Sequence, residues 1–405
     1  MNTMSISGSV IFLLKTVVLC KDFFMSSNIK ITGLYTNVLT FAIFYLVLIN
    51  SLLQDKFSIT VVSLSRLFVF GVLALLALWN TIFYKDIGDK LNYVVFILLA
   101  VFLALLKDSQ FSILLLFAIF CSLIDPYMVM RAYFRGILYG VIIVSLASLL
   151  GYIPKILGNI WVFGFSNPNA IGFLIATEIL TYITLHWKKI TFTDYLIFVI
   201  GLLFEKIVLS DDTATIVLII FMIIYLMSKK QSLFSLISKL TIMAPIFLFS
   251  FSWFISNYYG RYSWIAKFSK IITDRPEIWS YYLNIYGVHL LPQKITLFFA
   301  TDFQRAFFGG NLSNLYAGFD TSYIYMLLSD GLFLSFFIIF VLTYFANKIK
   351  TNPALICFTF SIFIFGFTET AVLTPLAYYQ SVILIIAFAS FINRNYFKKV
   401  NKNIK

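Results

Sequence analysis

Runs of about 20 apolar residues follow one another along almost the whole chain. They are interrupted once, by a polar and aromatic stretch from Asn257 to Gly318. A run of that length is what an α-helix needs to cross a hydrocarbon core at about 1.5 Å per residue. In that core only helices and closed barrels satisfy their own backbone groups. Of the 405 residues 61% are hydrophobic and 12% charged, with a mean hydropathy of +0.95. A soluble domain carries about 25% charged residues, so no water-soluble globule could hide this much apolar surface. The pattern predicts an all-α polytopic membrane protein with 12–13 transmembrane helices. Residues 1–256 form an N-terminal bundle of nine or ten spans, 257–318 a large loop with one or two short helices, and 319–405 the C-terminal helices with a basic tail. The first run, residues 9–25, contains Lys15 and no small-residue cleavage site. It is expected either to span or to lie along the surface, and not to be a removed signal peptide.

The net charge is +13, and its distribution decides what it means. If the tail with Arg394, Lys398, Lys399, Lys402 and Lys405 is cytoplasmic, counting spans backwards puts 16 basic residues on the inside. Only Lys56, Lys107 and Lys155 fall in the short outer connections. That is the positive-inside bias of a multi-pass membrane protein, not the clustered basic face of a nucleic-acid binder. The topology places the C-terminus inside and the loop 257–318 outside. The loop nevertheless carries Arg261, Lys267, Lys270, Arg275, Lys294 and Arg305 against Asp274, Glu277 and Asp302. It also holds Trp253, Tyr258, Tyr259, Tyr262, Trp264, Trp279, Tyr281, Tyr282 and Tyr286 at or within its borders. The cations either solvate the loop or, with these aromatics at a membrane surface, serve an anionic, sugar-bearing ligand; the aromatics favour the second reading. Three scattered cysteines and two distant histidines give no disulfide framework or metal site, and no cofactor is expected.

Polar groups recur near the outer ends of distant segments. In Gly164-Phe165-Ser166-Asn167-Pro168-Asn169 a turn leads into a helix whose amides can face a phosphate or hydroxyl, with Asn169 as a candidate cap. Glu205 and Lys206 lie about one turn from the outer end of their span, followed by Ser210-Asp211-Asp212-Thr213. Arg66 lies about 10 Å deep by helix rise and either snorkels or serves the same site. Asp274-Arg275-Pro276-Glu277-Ile278-Trp279 reads as a helix start in which Asp274 is a candidate cap and Arg275 can fork onto a phosphate. Asp320, at the start of the next span, is either its cap or a base for a sugar hydroxyl. Glu369, in Gly366-Phe367-Thr368-Glu369-Thr370, has no partner nearby in sequence. Ionisable groups at such depth are costly and usually face a bundle interior; Glu205 and Lys206 either form a mutual or neighbouring structural ion pair or serve the site.

The ordered set SNPNAIG, DRPEIW, FDTSYIYMLLSDGL and GFTET, from Gly164 to Glu369, resembles the Wzy-type O-antigen and capsule polymerases and, more broadly, the O-antigen ligase superfamily. The N-terminal third matches only in hydropathy. The resemblance implies a metal-independent glycosyltransferase of the C type in the bacterial cytoplasmic membrane. Its site would face outward beneath the large loop. Its donor and acceptor would be glycans on undecaprenyl pyrophosphate, with a chain-length regulator as a partner. Arg275 and Trp279 match the family's R-x-x-I-W, and Asp320, Ser322 and Tyr323 match its Asp, Ser and Tyr, with Thr321 replacing Asn. The ligase branch has His-Asn where this chain has Asp320 and Thr321, which favours polymerase over ligase. Where the family often reads Ser-Arg, this chain has Ser210-Asp211, and Lys206 is the candidate replacement. The expectation is a repeat-unit polymerase with Arg275, Arg261, Lys206 or Arg66 holding pyrophosphate and Asp320 or Glu369 activating the acceptor. Asn167, Asn169, Trp279 and Tyr323 would complete substrate binding. A ligase and a lipid-glycan flippase are the alternatives.

Overall fold

The computed structural model describes residues 28–53, 68–69, 71–79, 87–105, 109–157, 160–165, 168–296, 320–375 and 379–397. They are mostly helical. Before the loop come α1 (Asn28–Leu48), α2 (Ile87–Leu105), α3 (Ser109–Cys121), α4 (Pro126–Leu149), α5 (Pro168–Leu185), α6 (Phe192–Leu203), α7 (Asp212–Ser228) and α8 (Gln231–Asn257). Within it lie α9 (Ser263–Ile271) and α10 (Arg275–Tyr286). After it come α11 (Ser322–Tyr325), α12 (Gly331–Lys348), α13 (Pro353–Thr368) and α14 (Val382–Ile392). The described strands are β1 (Ile156–Leu157) and β2 (Ile160–Trp161), a two-residue antiparallel ladder ahead of α5. Among the described residues four segments are long and apolar enough to cross a membrane: Gly33–Ser51, Pro126–Leu149, Gln231–Asn257 and Ser322–Lys348. The protein is therefore an all-α membrane protein at the level of these helices.

Small residues let the helices meet. A Cβ on Gly136 would fall 2.8 Å from both the Thr40 carbonyl oxygen and Ile43 Cβ, and one on Gly140 would fall 2.6 Å from Val47 Cγ1. This four-residue glycine spacing brings α4 against α1, as in close-packed membrane helix pairs where no water-driven force assists association. At the centre, α14 is buried on all sides from Val382 to Ala389. A helix that is apolar all round belongs in such a place. Its neighbours α3 and α12 supply Phe111 and Phe337, both packed against Phe388. By contrast α4 presents Ile142, Ile143, Leu146 and Leu149 outward, and α8 presents Leu240, Met243, Ile246 and Phe247. Those are the faces a bilayer would cover.

One end of the bundle is closed by conventional caps. Asp125 accepts from the Tyr127 amide at 2.9 Å and Asn352 from the Leu355 amide at 3.2 Å, each followed by proline at the first helical position. Proline there loses nothing, because that amide has no helical partner. The Asn352 side chain also donates to the Tyr127 hydroxyl at 2.9 Å, tying the starts of α4 and α13 together. Asn393 donates to the Ser122 carbonyl, Tyr396 to that of Cys121, and Lys348 to that of Ser390.

The opposite end is built differently. The turn between α6 and α7 winds Phe204–Leu209 as a π-helix, with its wider i→i+5 spacing, and then places Ser210 at a left-handed φ of 54°. Thr273 and Asp274, between α9 and α10, have φ of 57° and 58°, and Asp320 has 43°. A second π turn, Met326–Asp330, interrupts the helix that α11 begins. Left-handed non-glycine residues cost about 1–3 kcal/mol each and persist where the surroundings over-determine them.

Candidate functional site

Four turns that are remote in sequence converge at this strained end. The left-handed pair Thr273 and Asp274 reverses the chain after α9, and the Asp274 amide bonds back to the Ser269 carbonyl at 2.8 Å. That turn spends Asp274 on backbone geometry, so its side chain makes no cap; the expected Asp274 cap is absent. Arg275, the first residue of α10, is thereby turned inward and is 7% exposed. Among the described residues it is the one buried lysine or arginine.

Its guanidinium meets three polar side chains. Nη1 donates to Thr213 Oγ1 at 3.1 Å, in the first turn of α7. Nη2 donates to Glu369 Oε1 at 3.4 Å, at the end of α13, and Nε lies 3.9 Å from Asp320 Oδ2. Glu369 takes an extended conformation as α13 stops, and its amide still bonds to the Phe365 carbonyl. Ser322 joins the two acidic turns. Its hydroxyl donates to the Glu369 carbonyl at 2.7 Å and accepts from the Leu373 amide at 3.0 Å. Asp320 precedes the helix start, and Thr321 occupies the cap position, so the capping role considered for Asp320 does not hold.

Behind this group lies a second acidic pair. Asp211 caps α7 by accepting from the Ala214 amide at 3.0 Å, and its own amide bonds to the Glu205 carbonyl. Glu205 is fully buried, and neither of its carboxyl oxygens has a hydrogen-bond partner; Asp211 Oδ2 has none either. A Cβ at Gly172 of α5 would fall 2.3 Å from Asp211 Oδ2 and 2.8 Å from Glu205 Oε2. The absence of that side chain leaves the space the two carboxyls share. Burial raises the Asp211 carboxyl above the ordinary range, against the amides of Ala214 and Thr213 and the charge of Arg275, which lower it. Asp320 is raised by desolvation and pulled back by Arg275. A carboxyl stripped of water favours its neutral form unless a cation or donors compensate. Here one arginine serves several acids.

The other expected site residues are placed as follows. Lys206 turns outward into an exposed pair with Asp212 and joins neither Glu205 nor the Arg275 group. Arg261 lies over the Tyr258 ring, 5.4 Å from its centroid, on a surface shared with Tyr262 and Trp264. Trp279 is fully buried, edge-on to Phe367 at 5.5 Å. Tyr323 is fully buried and donates to the Phe363 carbonyl at 3.0 Å. Both aromatics thus brace the turns that carry Arg275 and Glu369 and present no open face for a sugar. Asn169 lies inside the first turn of α5, which begins at Pro168, so it does not cap that helix. Arg66 and Asn167 lie outside the described residues, as do residues 9–25 and 297–319. Glu178 on α5, 7% exposed with Oε2 unpartnered, went unremarked in the sequence. Its signal was a lone acid in an apolar span.

Among the described residues no group of three metal-ligating side chains comes together. Comparison of the chain with protein-family models, with curated proteins and with solved structures gave no match.

Proposed function

We propose that this protein is a membrane glycosyltransferase that polymerises oligosaccharide repeat units carried on undecaprenyl pyrophosphate. The reading takes the chain as a C-type-like bundle of 12–13 spans in a bacterial cytoplasmic membrane, with the C-terminus inside and the 257–318 loop outside. Its products would be capsule, exopolysaccharide or O-antigen chains. The observation that carries it is the meeting of Arg275, Glu369 and Asp320 at one end of the bundle. They come from three of the motifs on which the family resemblance rests, and nothing in their sequence spacing requires them to meet.

The chemistry suits those groups. The acceptor's hydroxyl attacks the anomeric carbon of the donor glycan. The new carbon–oxygen bond forms as the bond from that carbon to the pyrophosphate oxygen breaks, and the electron pair leaves with the lipid pyrophosphate. The leaving group is already an anion, so the protein's tasks are to neutralise its growing charge and to hold geometry. Arg275 supplies a rigid fork of donors for phosphate oxygens. A carboxylate, Asp320 or Glu369, takes the hydroxyl proton. The half-exposed aromatics Tyr262 and Trp264, beside Arg261, offer a surface for sugar or headgroup at the bundle's edge.

The test is repeat-unit transfer by the purified chain in lipid bilayers, given one defined lipid-linked oligosaccharide. A ladder of multiples of that repeat supports the reading. Transfer only to a different acceptor makes the protein a ligase. Movement of the lipid across the bilayer without any new glycosidic bond makes it a flippase and removes the proposal.

A further inference from the structure

The edge of a guanidinium formed by Nε and Nη2 presents two parallel N–H groups, and that edge grips carboxylates and phosphates in two-pronged fashion. In Arg275 the two prongs of this edge point at two different acids. Nε faces Asp320 at 3.9 Å, and Nη2 reaches Glu369 at 3.4 Å. Charge-assisted N–H to oxygen bonds are normally about 2.7–2.9 Å, so both contacts are long. Neither acid takes the edge as a pair. The third nitrogen, Nη1, is fixed separately by Thr213 at 3.1 Å, which holds the plane of the fork whatever the other edge binds.

Among the described residues neither acid is tightly fixed elsewhere through its side chain. Asp320 is itself left-handed and half-buried, and the Glu369 main chain is anchored by Ser322. Each carboxylate can swing without moving the helix that carries it. A single phosphate on the Nε/Nη2 edge would take both prongs at once and meet Arg275 with better geometry than either acid does.

We propose, resting on the polymerase reading, that Asp320 and Glu369 are competitors for the phosphate grip of Arg275, and that donor pyrophosphate displaces them before the acceptor is activated. Held against Arg275, a carboxylate is a weak base, because the cation stabilises its charged form. Once the phosphate takes the edge, that cation is neutralised and the displaced carboxylate accepts the acceptor's hydroxyl proton. The oxygen of that hydroxyl then bonds to the anomeric carbon as the pyrophosphate departs, its charge held by the same arginine. The site would thus assemble its base only when the donor is seated, and binding would be ordered, donor first.

The experiment measures the affinity of farnesyl pyrophosphate, without divalent cations, for the full-length protein in lipid nanodiscs. Wild type is compared with Glu369→Gln, Asp211→Asn and Arg275→Ala. Asp211 is close enough to feel the charge of Arg275 but makes no contact with it, so Asp211→Asn reports the effect of simply removing a nearby negative charge. Asparagine caps a helix about as well as aspartate, so that variant keeps its fold. Displacement predicts that Arg275→Ala loses the probe, that Glu369→Gln binds it about tenfold more tightly, and that Asp211→Asn gains no more than a few-fold. If Glu369→Gln gains nothing, or no more than Asp211→Asn, the competition is wrong while the polymerase reading stands. If wild type and Arg275→Ala bind the probe equally, or neither binds it, Arg275 is no phosphate grip. The inference and the arginine's assigned role then fall together.

Discussion

The two ends of this bundle solve the same problem in opposite ways. At the Asn352 end, helix starts are capped, proline stands where no amide is needed, and Lys348, Asn393 and Tyr396 donate to the backbone carbonyls of neighbouring helix ends at ordinary lengths. At the Arg275 end, the turns contain five left-handed non-glycine residues: Phe163, whose ring packs on Phe204, and Ser210, Thr273, Asp274 and Asp320. The helix before α7 widens into a π turn, and the ion pairs of the buried Arg275 are long. Carboxyl oxygens of Glu205 and Asp211 are buried without partners. Buried polar groups are normally satisfied, and exceptions call for an explanation. The first end is arranged for stability. The second carries strain and unmet hydrogen-bonding capacity, which sequences tend to keep only where function needs it. Substitutions at matched features of the two ends can break that contrast.

The largest effect is expected from the acids. Asp320→Asn and Glu369→Gln keep size and remove the ability to accept a proton at neutral pH. One of the two should lower repeat-unit transfer by about 10²–10⁴-fold, the usual worth of general-base help, while thermal unfolding of the purified protein stays near wild type. Normal transfer by both would leave catalysis to pyrophosphate departure alone. Next comes Arg275→Lys, which keeps the charge and loses the two-pronged grip. Transfer should drop about 10²–10³-fold, comparable to removing one preorganised donor from a transition-state site. Unchanged glycan chain lengths would take Arg275 out of the site.

Two glycines give a direct comparison across the molecule. Gly136→Ala drives a methyl into the Thr40 backbone and Ile43. Backbone cannot give way, so the α1–α4 pair must part, at a cost of about 1–3 kcal/mol of stability. Gly172→Ala meets instead the ends of two flexible carboxyl side chains. They can move, so stability should change less. Shifting Asp211 disturbs the turn that presents Thr213 to Arg275, and transfer should fall about 10–100-fold, as for misplacements of an ångström or so in a site. If Gly172→Ala unfolds at lower temperature than Gly136→Ala and transfers normally, the space beside Asp211 and Glu205 serves packing and not the site.

Much of this was legible in the sequence for physical reasons that are easy to name. Apolar runs fix helices in a bilayer, and proline after Asp125, Asn167 and Asn352 marks where helices begin. Glu369 stands out because a charge near the end of an apolar run is expensive, Arg275 because it opens a helix start in the polar loop, and Asp320 because it opens the next span. The approach of Glu205 to Asp211 was not legible. It depends on the extra residue of a π turn and on the left-handed Ser210, neither of which alters hydrophobic periodicity. The sequence offers Lys206 to the site because it lies one turn before Ser210-Asp211, where the resembling family often has Ser-Arg. In the π turn adjacent residues point apart, so Glu205 goes inward and Lys206 outward. Trp279 and Tyr323 enter the expected site through the motifs they match, and a motif does not tell an aromatic that meets a sugar from one that packs on Phe367 or bonds to the Phe363 carbonyl.

The smallest and most discriminating difference concerns the two caps. Asn352→Ala removes the acceptor for the Leu355 amide and the donor to Tyr127. It should cost about 1–2 kcal/mol at any pH, because neither group titrates near neutrality. Asp211→Asn should cost nothing at neutral pH, since asparagine can still accept from the Ala214 amide, and it removes a carboxyl that burial disfavours beside Glu205. The pH dependence follows from the raised folded-state value of Asp211. Below the unfolded aspartate value, about 3.9, both states hold the proton and the variant should match wild type. As pH climbs above that value, the unfolded chain gives up its proton more readily than the folded one, and wild-type stability falls until Asp211 itself ionises in the fold. The advantage of Asp211→Asn should therefore grow through that interval and level off above it. Thermal unfolding in lipid nanodiscs between pH 4 and pH 8 measures it. A loss for Asp211→Asn equal to that of Asn352→Ala across the whole range would make Asp211 an ordinary cap and the strained end no different from the satisfied one.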